Sequence, residues 1–305
     1  MSTVLTAVAA RRAMEAVFAE AGVRGHLFAR DVDGRAAVGL DEDVPVATAS
    51  VFKIPIALAY ACEAEAGRLD RTERHPVPPR FRDGGIGTSG CVDAVEMSLR
   101  DLVGMMLTMS DNAATDVVLR RVGLARVNGL LAALGRRRTR LVGGCSDLVG
   151  ALLADLGVAS LAEAQPVLAA LPAEEVARLS VCDPGRTTRS TARDTAGLLA
   201  QIWRDEAGPA AACREVREVM ARQIWPHRLA SGFGDGYRIA GKTGTLPGWR
   251  NEAGVVEHPD GGRYAVAVFT RAARPRELDP AADRAIGRAA RIAVDALRAP
   301  VAAGR

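Results

Sequence analysis

Apolar and polar residues alternate at helical spacing over residues 4–21, which predicts a first helix. Val23 to Arg30 then reads as a strand, Asp31-Val32-Asp33-Gly34 as a hairpin turn and Arg35 to Leu40 as a second strand. Val44 to Ala49 forms a strand end and turn, and apolar residues return at helical spacing from Ile54 to Leu69. Residues 70–90 are rich in Pro, Gly and Arg and read as a loop. Ser98-Leu99-Arg100-Asp101 caps a helix that runs to about Met109; Ser110-Asp111-Asn112 interrupts it, and Ala113 to Val122 resumes it. From there to residue 180 the chain is Leu/Ala-rich and helical, broken at Gly143-Gly144, Pro166 and Pro172. Ser190-Thr191 caps a helix from Ala192 to Trp203, and a further helix lies near 213–223. The pattern then turns to strands: Tyr237 to Gly241, Trp249 to Val256, and a clean alternation from Arg263 to Thr270. An amphipathic helix from Pro280 to Leu297 follows.

Strands near both ends and helices between them predict an α+β fold: one antiparallel sheet flanked by helices, plus an all-α domain. The expected sheet domain is discontinuous, residues 1–58 and 205–305. The all-α domain takes residues 59–204, with an enlarged loop region at about 143–189. A site is expected at the junction, where pockets form.

Composition narrows the class. The chain has 305 residues, 49% hydrophobic and 25% charged, enough apolar material for a packed core. A net charge of +4 does not single out nucleic acid as a partner, and the one dense basic run, Arg136-Arg137-Arg138-Thr139-Arg140, follows Gly135 without interleaved aromatics and reads as a solvated turn. Cys62, Cys91, Cys145, Cys182 and Cys213 are odd in number, with no C-x-x-C pair, which predicts free thiols rather than a disulfide framework or zinc site. His26, His75, His227 and His258 have no metal-ligand spacing, so neither metal nor cofactor is expected. The apolar Thr3 to Ala10 precedes Arg11-Arg12, the reverse of a signal peptide, and no apolar run is long enough to span a membrane; the expectation is a cytoplasmic protein.

Among 40 Lys+Arg there are two lysines, Lys53 and Lys242. Arg cannot lose its proton in a protein, whereas a desolvated Lys can, so the lysines mark candidate chemistry. Lys53 follows Ser50 by three residues, and i, i+3 side chains share a helix face. A serine there is either an N-cap or a nucleophile activated by the neighbouring amine. The second lysine begins Lys242-Thr243-Gly244-Thr245 at a strand, and Ser110-Asp111-Asn112 sits at a helix break.

S-x-x-K, S-D-N and K-T-G in this order resemble the penicilloyl-serine transferase superfamily, the penicillin-binding proteins and class A β-lactamases. The likeness extends to the 60-residue interval from Ser50 to Ser110, the Ser190-Thr191 helix start and the terminal strands and helix. It implies a β-lactamase/transpeptidase-like fold and a small-molecule acyl substrate carrying a carboxylate, with no nucleic-acid or membrane partner. By the same resemblance Ser50 becomes acylated, Lys53 takes or relays its proton, and Ser110 passes a proton to the leaving nitrogen. Asn112 binds the substrate amide. Lys242 and Thr243 hold the carboxylate, Gly244 belongs to the same substrate-binding motif, and the N–H groups of Ser50 and Thr245 form an oxyanion hole. In many class A enzymes an arginine stands nine residues after the motif lysine, where this chain has Asn251; Arg228, ahead of that lysine, is the candidate clamp and Arg250 the fallback, with surface arginines the alternative for both.

The chain departs from class A where that family carries a deacylating Glu-x-x-Leu-Asn. The matching stretch is Gly143-Gly144-Cys145-Ser146-Asp147-Leu148-Val149, with Cys145 in the glutamate's place. Asp147, Glu163, Glu174, Glu175 and Asp183 are candidate substitutes. The resemblance therefore implies a serine acyl hydrolase acting on a β-lactam, ester or small amide, with deacylation slow or driven by a non-standard base. The alternatives are an acyltransferase to an amine acceptor and a penicillin-binding sensor without turnover.

Overall fold

The structure, a computed structural model, describes residues 7–83, 85–272, 276 and 278–299. Residues 4–6 of the expected first helix lie outside the described residues. The chain begins with α1 (Ala7–Glu20), β1 (Val23–Asp31), β2 (Ala37–Leu40) and the short β3 (Val46–Ala47). A 3₁₀ turn, Ala49–Phe52, leads into α2 (Lys53–Glu65). Then come β4 (Arg74–Pro76), β5 (Glu96–Ser98), α3 (Leu99–Thr108), α4 (Asn112–Val122), α5 (Leu124–Ala133), α6 (Cys145–Leu156), α7 (Leu161–Ala170) and α8 (Ala173–Arg178). The chain returns through β6 (Arg189–Ser190), α9 (Ala192–Trp203) and α10 (Ala210–Met220) to β7 (Arg238–Leu246), β8 (Trp249–Glu257), β9 (Arg263–Ala272) and α11 (Pro280–Arg298).

The fold is α+β. The main sheet is antiparallel in the order β2-β1-β9-β8-β7, so strands from both ends of the sequence meet where β1 pairs with β9, Leu27 opposite Val268. The period-two pattern decides which core each residue enters. On β9, Tyr264, Val266 and Val268 pack with Met14 and Phe18 of α1 and Ile286 and Val294 of α11. Ala265, Ala267 and Phe269 face the other way, into the core shared with the helices. α11 earns its place by spacing: Ala282, Ala285, Ile286, Ala289, Ala290 and Ala293 are buried along one stripe. α2 is apolar on nearly every face, with Ile54, Ile56, Leu58 and Tyr60 all buried, and so sits inside the helical layer.

Two of the cap signals work as hydrogen bonds, and the Ser110-Asp111-Asn112 break supplies a third cap. Ser98 Oγ accepts from Asp101 N at 3.3 Å, Asp111 Oδ1 from Ala114 N at 3.0 Å and Thr191 Oγ1 from Asp194 N at 3.0 Å. Three expectations need correction. Ser50 is not an N-cap; it lies inside the 3₁₀ turn, where no side-chain cap is made. Pro166 does not end a helix but lies within α7. The 70–90 stretch is not all loop, because Arg74, His75 and Pro76 pair with Ser98, Met97 and Glu96. No single described helix is long and apolar enough to cross a membrane.

Candidate active site

The site is built where the edge strand β7 passes the turn that carries Ser50. Gly244 makes this approach possible: a Cβ there would lie 2.7 Å from Thr48 O and 3.0 Å from Ser50 N. Opposite Gly244 on β8 is Asn251, and paired residues share a sheet face. Asn251 Nδ2 donates to Ala47 O at 2.9 Å and Thr48 O at 3.2 Å, so β8 grips the turn from below. The turn needs holding. Ala49 has φ +48°, a left-handed conformation costing about 1–3 kcal/mol for a residue with a Cβ. Ser50 itself is half-buried, and its hydroxyl makes no hydrogen bond to a described residue.

Lys53 is fully buried. Its Nζ donates to Ser110 O at 2.7 Å, Asn112 Oδ1 at 2.9 Å and Ser110 Oγ at 3.2 Å, which joins the first two motifs through one amine. Burial pushes its pKa below the usual lysine value, against the pull of Cys145, Asp111 and Asp116. Ser110, at φ +71°, is held by the residue after it. Asp111 is buried and accepts from Thr88 N at 2.6 Å, Thr88 Oγ1 at 2.7 Å and Ser89 Oγ at 3.0 Å. Asn112 Nδ2 meets Asp83 Oδ2 at 3.4 Å.

Lys242 is also fully buried, with Nζ donating to Thr243 O at 2.8 Å. Burial first, and the charge of Lys53 second, push its pKa well below the usual value. Thr243 N donates to Gln223 Oε1 at 2.8 Å, and Thr245 is exposed on the strand edge.

The expectation that Arg228 and Arg250 are either clamps or surface residues needs refining, because both are buried. Arg228 pairs with Asp283 at 2.7 Å and donates to Gly244 O at 2.8 Å, Asn251 O at 2.9 Å and Thr245 Oγ1 at 2.8 Å. It therefore braces β7 against β8 and touches the edge residue Thr245. Arg250 pairs with the same Asp283 at 3.1 Å, on α11.

Cys145 starts α6 and is buried. Asp116 fixes it there, accepting from Cys145 N at 2.7 Å and Ser146 N at 2.8 Å. Burial pushes the Cys145 thiol up to about 11, against the neighbouring Lys53. Cys145, Ser50, Asn112 and Thr245 line one cleft of about 100 Å³, closed by Leu148, Val149, Leu152, Val181 and Leu246. Among the described residues no carboxylate lines it. Of the candidate substitutes, Asp147 accepts from Gly144 N, Glu163 from Ala159 N and Asp183 from Gly185 N, all in local turns or caps; Glu174 lines a different cleft and Glu175 is exposed. Among the described residues no group of three or more His, Cys, Asp or Glu could hold a metal ion.

Sequence reasoning passed over Asp116 and the grip of Asn251. Both act through backbone groups remote in sequence, and no local pattern announces that.

Comparison with known proteins adds three findings. A family model described as "Beta-lactamase enzyme family" matches residues 9–297. A "Beta-lactamase regulatory protein BlaB" of Streptomyces cacaoi is 30% identical, over 92% of this chain and 94% of the relative. Two solved structures superpose with TM-score 0.75. One is a PBP-A point mutant in an acyl-enzyme complex with penicillin-G, 22% identical over 95% of this chain and 96% of that one. The other is a beta-lactamase from Sphaerobacter thermophilus DSM 20745, 25% identical over 94% and 97%.

Proposed function

We propose, because the chain belongs to the beta-lactamase enzyme family, that Ser50 takes an acyl group from a β-lactam or related acyl donor and holds it. Ser50 Oγ attacks the acyl carbonyl, and its proton passes to Lys53 when the amine is in its neutral form, which burial favours. The carbonyl oxygen gathers charge against the N–H groups of Ser50 and Thr245. Ser110 hands its proton to the departing nitrogen and regains one from Lys53, 3.2 Å away, so that the C–N bond breaks, Lys53 returns to the neutral amine and an ester remains on Ser50. Asn112 receives the amide of the acyl side, while Lys242, Thr243 and Arg228, acting through Thr245, offer positive charge to a carboxylate.

The observation that carries the slow second half is the wall of the cleft. Hydrolysis of the ester needs a base to activate water, an effect worth about 10²–10⁴ in rate. Cys145 faces the cleft with a thiol that stays protonated at neutral pH, and the neighbouring wall is leucine and valine. A long-lived acyl state also suits a protein that reports the presence of a β-lactam, and the relative described as a regulatory protein favours that role over resistance by turnover. The test is a chase. Protein labelled with a fluorescent penicillin is passed into excess unlabelled drug, and the label is followed on a denaturing gel. A bond lasting many minutes agrees with the proposal; loss of label within seconds refutes the slow step. Release accelerated only by an added amine would make the protein an acyltransferase.

A further inference from the structure

The basic run after α5 is an exposed turn, as expected, and it leads into a pairing of two arginines. Arg140 and Arg189 form an isolated antiparallel bridge, exchanging N–H···O bonds of 2.9 and 3.0 Å. Residues opposed in this way put their side chains on one face, with Cβ atoms about 4.5–5.5 Å apart, and like charges so placed repel. The fold does not neutralise them. Arg140 makes no side-chain hydrogen bond or ion pair with a described residue, and Arg189 reaches only Pro184 O at 3.3 Å. Arg137 is exposed and its side chain also has no partner among the described residues, while the Arg136 side chain donates only to Leu134 O at 3.1 Å among them. These four arginines line one cleft of about 320 Å³; among the described residues no Asp or Glu lines it, and the adjacent carboxylate, Asp194, is engaged by Thr139 Oγ1 at 3.1 Å.

The surroundings set the size of what fits. Arg138, in the same run, is already paired with Asp43 at 3.3 Å, and Asp194 accepts from Arg138 N at 2.9 Å. Acidic residues thus close the positive surface on that side, so it does not continue as the basic track that a nucleic-acid backbone follows. No aromatic side chain lines the cleft to stack a base. Guanidinium forks match phosphate oxygens two at a time and stay charged at all working pH values. We propose that this cleft binds a small molecule carrying two adjacent anionic groups, of the diphosphate type, at a site separate from the Ser50 cleft. The ligand would supply the negative charge that the cross-strand pair Arg140–Arg189 lacks.

The test is calorimetric titration of the full chain with inorganic pyrophosphate at physiological ionic strength. Orthophosphate and a short single-stranded oligonucleotide serve as separate arms. The variants are Arg137→Ala/Arg140→Ala and, for an equal change of net charge, Arg12→Ala/Arg222→Ala at exposed positions elsewhere. Pyrophosphate is expected to bind saturably, orthophosphate about tenfold or more weakly, and the cleft variant to lose about tenfold or more in affinity while the control keeps it. The cleft variant should unfold at the same temperature as the unmodified chain or higher, since a repulsion has been removed. No saturable binding, or equal loss in the control variant, overturns the proposal. So does an oligonucleotide that binds more tightly than pyrophosphate, which would make the cleft part of a nucleic-acid surface.

Discussion

Lys53 and Ser110, 57 positions apart in the chain, meet at 2.7 Å through the lysine amine and the serine carbonyl and at 3.2 Å through the hydroxyl. This contact ties the first turn of α2 to the break between α3 and α4. It also sets a buried amine beside the Ser110 hydroxyl and against Asn112, which itself lines the cleft with Ser50. The amine can act as a base only when it is neutral, and burial works in that direction.

The pH profile of acylation follows. Lys53 has its pKa lowered, so between that lowered value and 10.5 it is neutral where an ordinary lysine is charged. Acylation should therefore climb as pH rises to the lowered pKa and level off above it, with the midpoint below 10.5. Lys53→Arg, which cannot lose its proton, should remove the limb and slow acylation about 10²-fold or more. Stopped-flow acylation rates across pH read both.

Cys145→Glu should restore hydrolysis. A carboxylate at the start of α6 would stand in the cleft with Ser50, and deacylation should rise about 10²-fold or more. Steady-state release of a chromogenic cephalosporin product measures it. Cys145→Ala, equal in its failure to supply a base, should leave deacylation slow; fast turnover in that variant would show that the base lies elsewhere.

Asp283 stabilises two buried arginines at once, Arg228 at 2.7 Å and Arg250 at 3.1 Å. Asp283→Ala removes the carboxylate that the two buried cations share and should cost about 3–5 kcal/mol in urea unfolding. Asp283→Asn keeps acceptors for part of the network and should lose less.

Gly244→Ala should damage the site without unfolding the protein. The new methyl would meet Thr48 O at 2.7 Å and push the edge strand away from Ser50. The expected result is slower acylation with little change in the unfolding midpoint, read by labelling rate and thermal melt together.

How far the sequence was legible depends on the distance over which each residue acts. Ser98 and Thr191 announce themselves because each caps a donor three residues on, whereas Asp111, which does the same, reads only as part of a helix break. The alternation in β9 is similarly local and predicts both of its faces. The two lysines stand out by their rarity, and the structure places Lys53 against Ser110 and Asn112. Asp116, Asn251 and Asp283 carry no such signal. Their partners lie 29, 204 and 55 positions away, so only the packed fold reveals that Asp116 pins Cys145, Asn251 holds the turn before Ser50, or Asp283 draws Arg228 inside. Pro166 shows the converse: a strong local breaker that α7 nevertheless accommodates.

The central claim is an acyl ester that forms on Ser50 and persists. Intact-protein mass spectrometry after mixing with penicillin-G, with Ser50→Ala in parallel, tests it most directly. The account predicts a gain equal to the whole drug mass on the unmodified chain alone, still present after many minutes. Rapid loss of drug with no adduct, or the same adduct on Ser50→Ala, would contradict it.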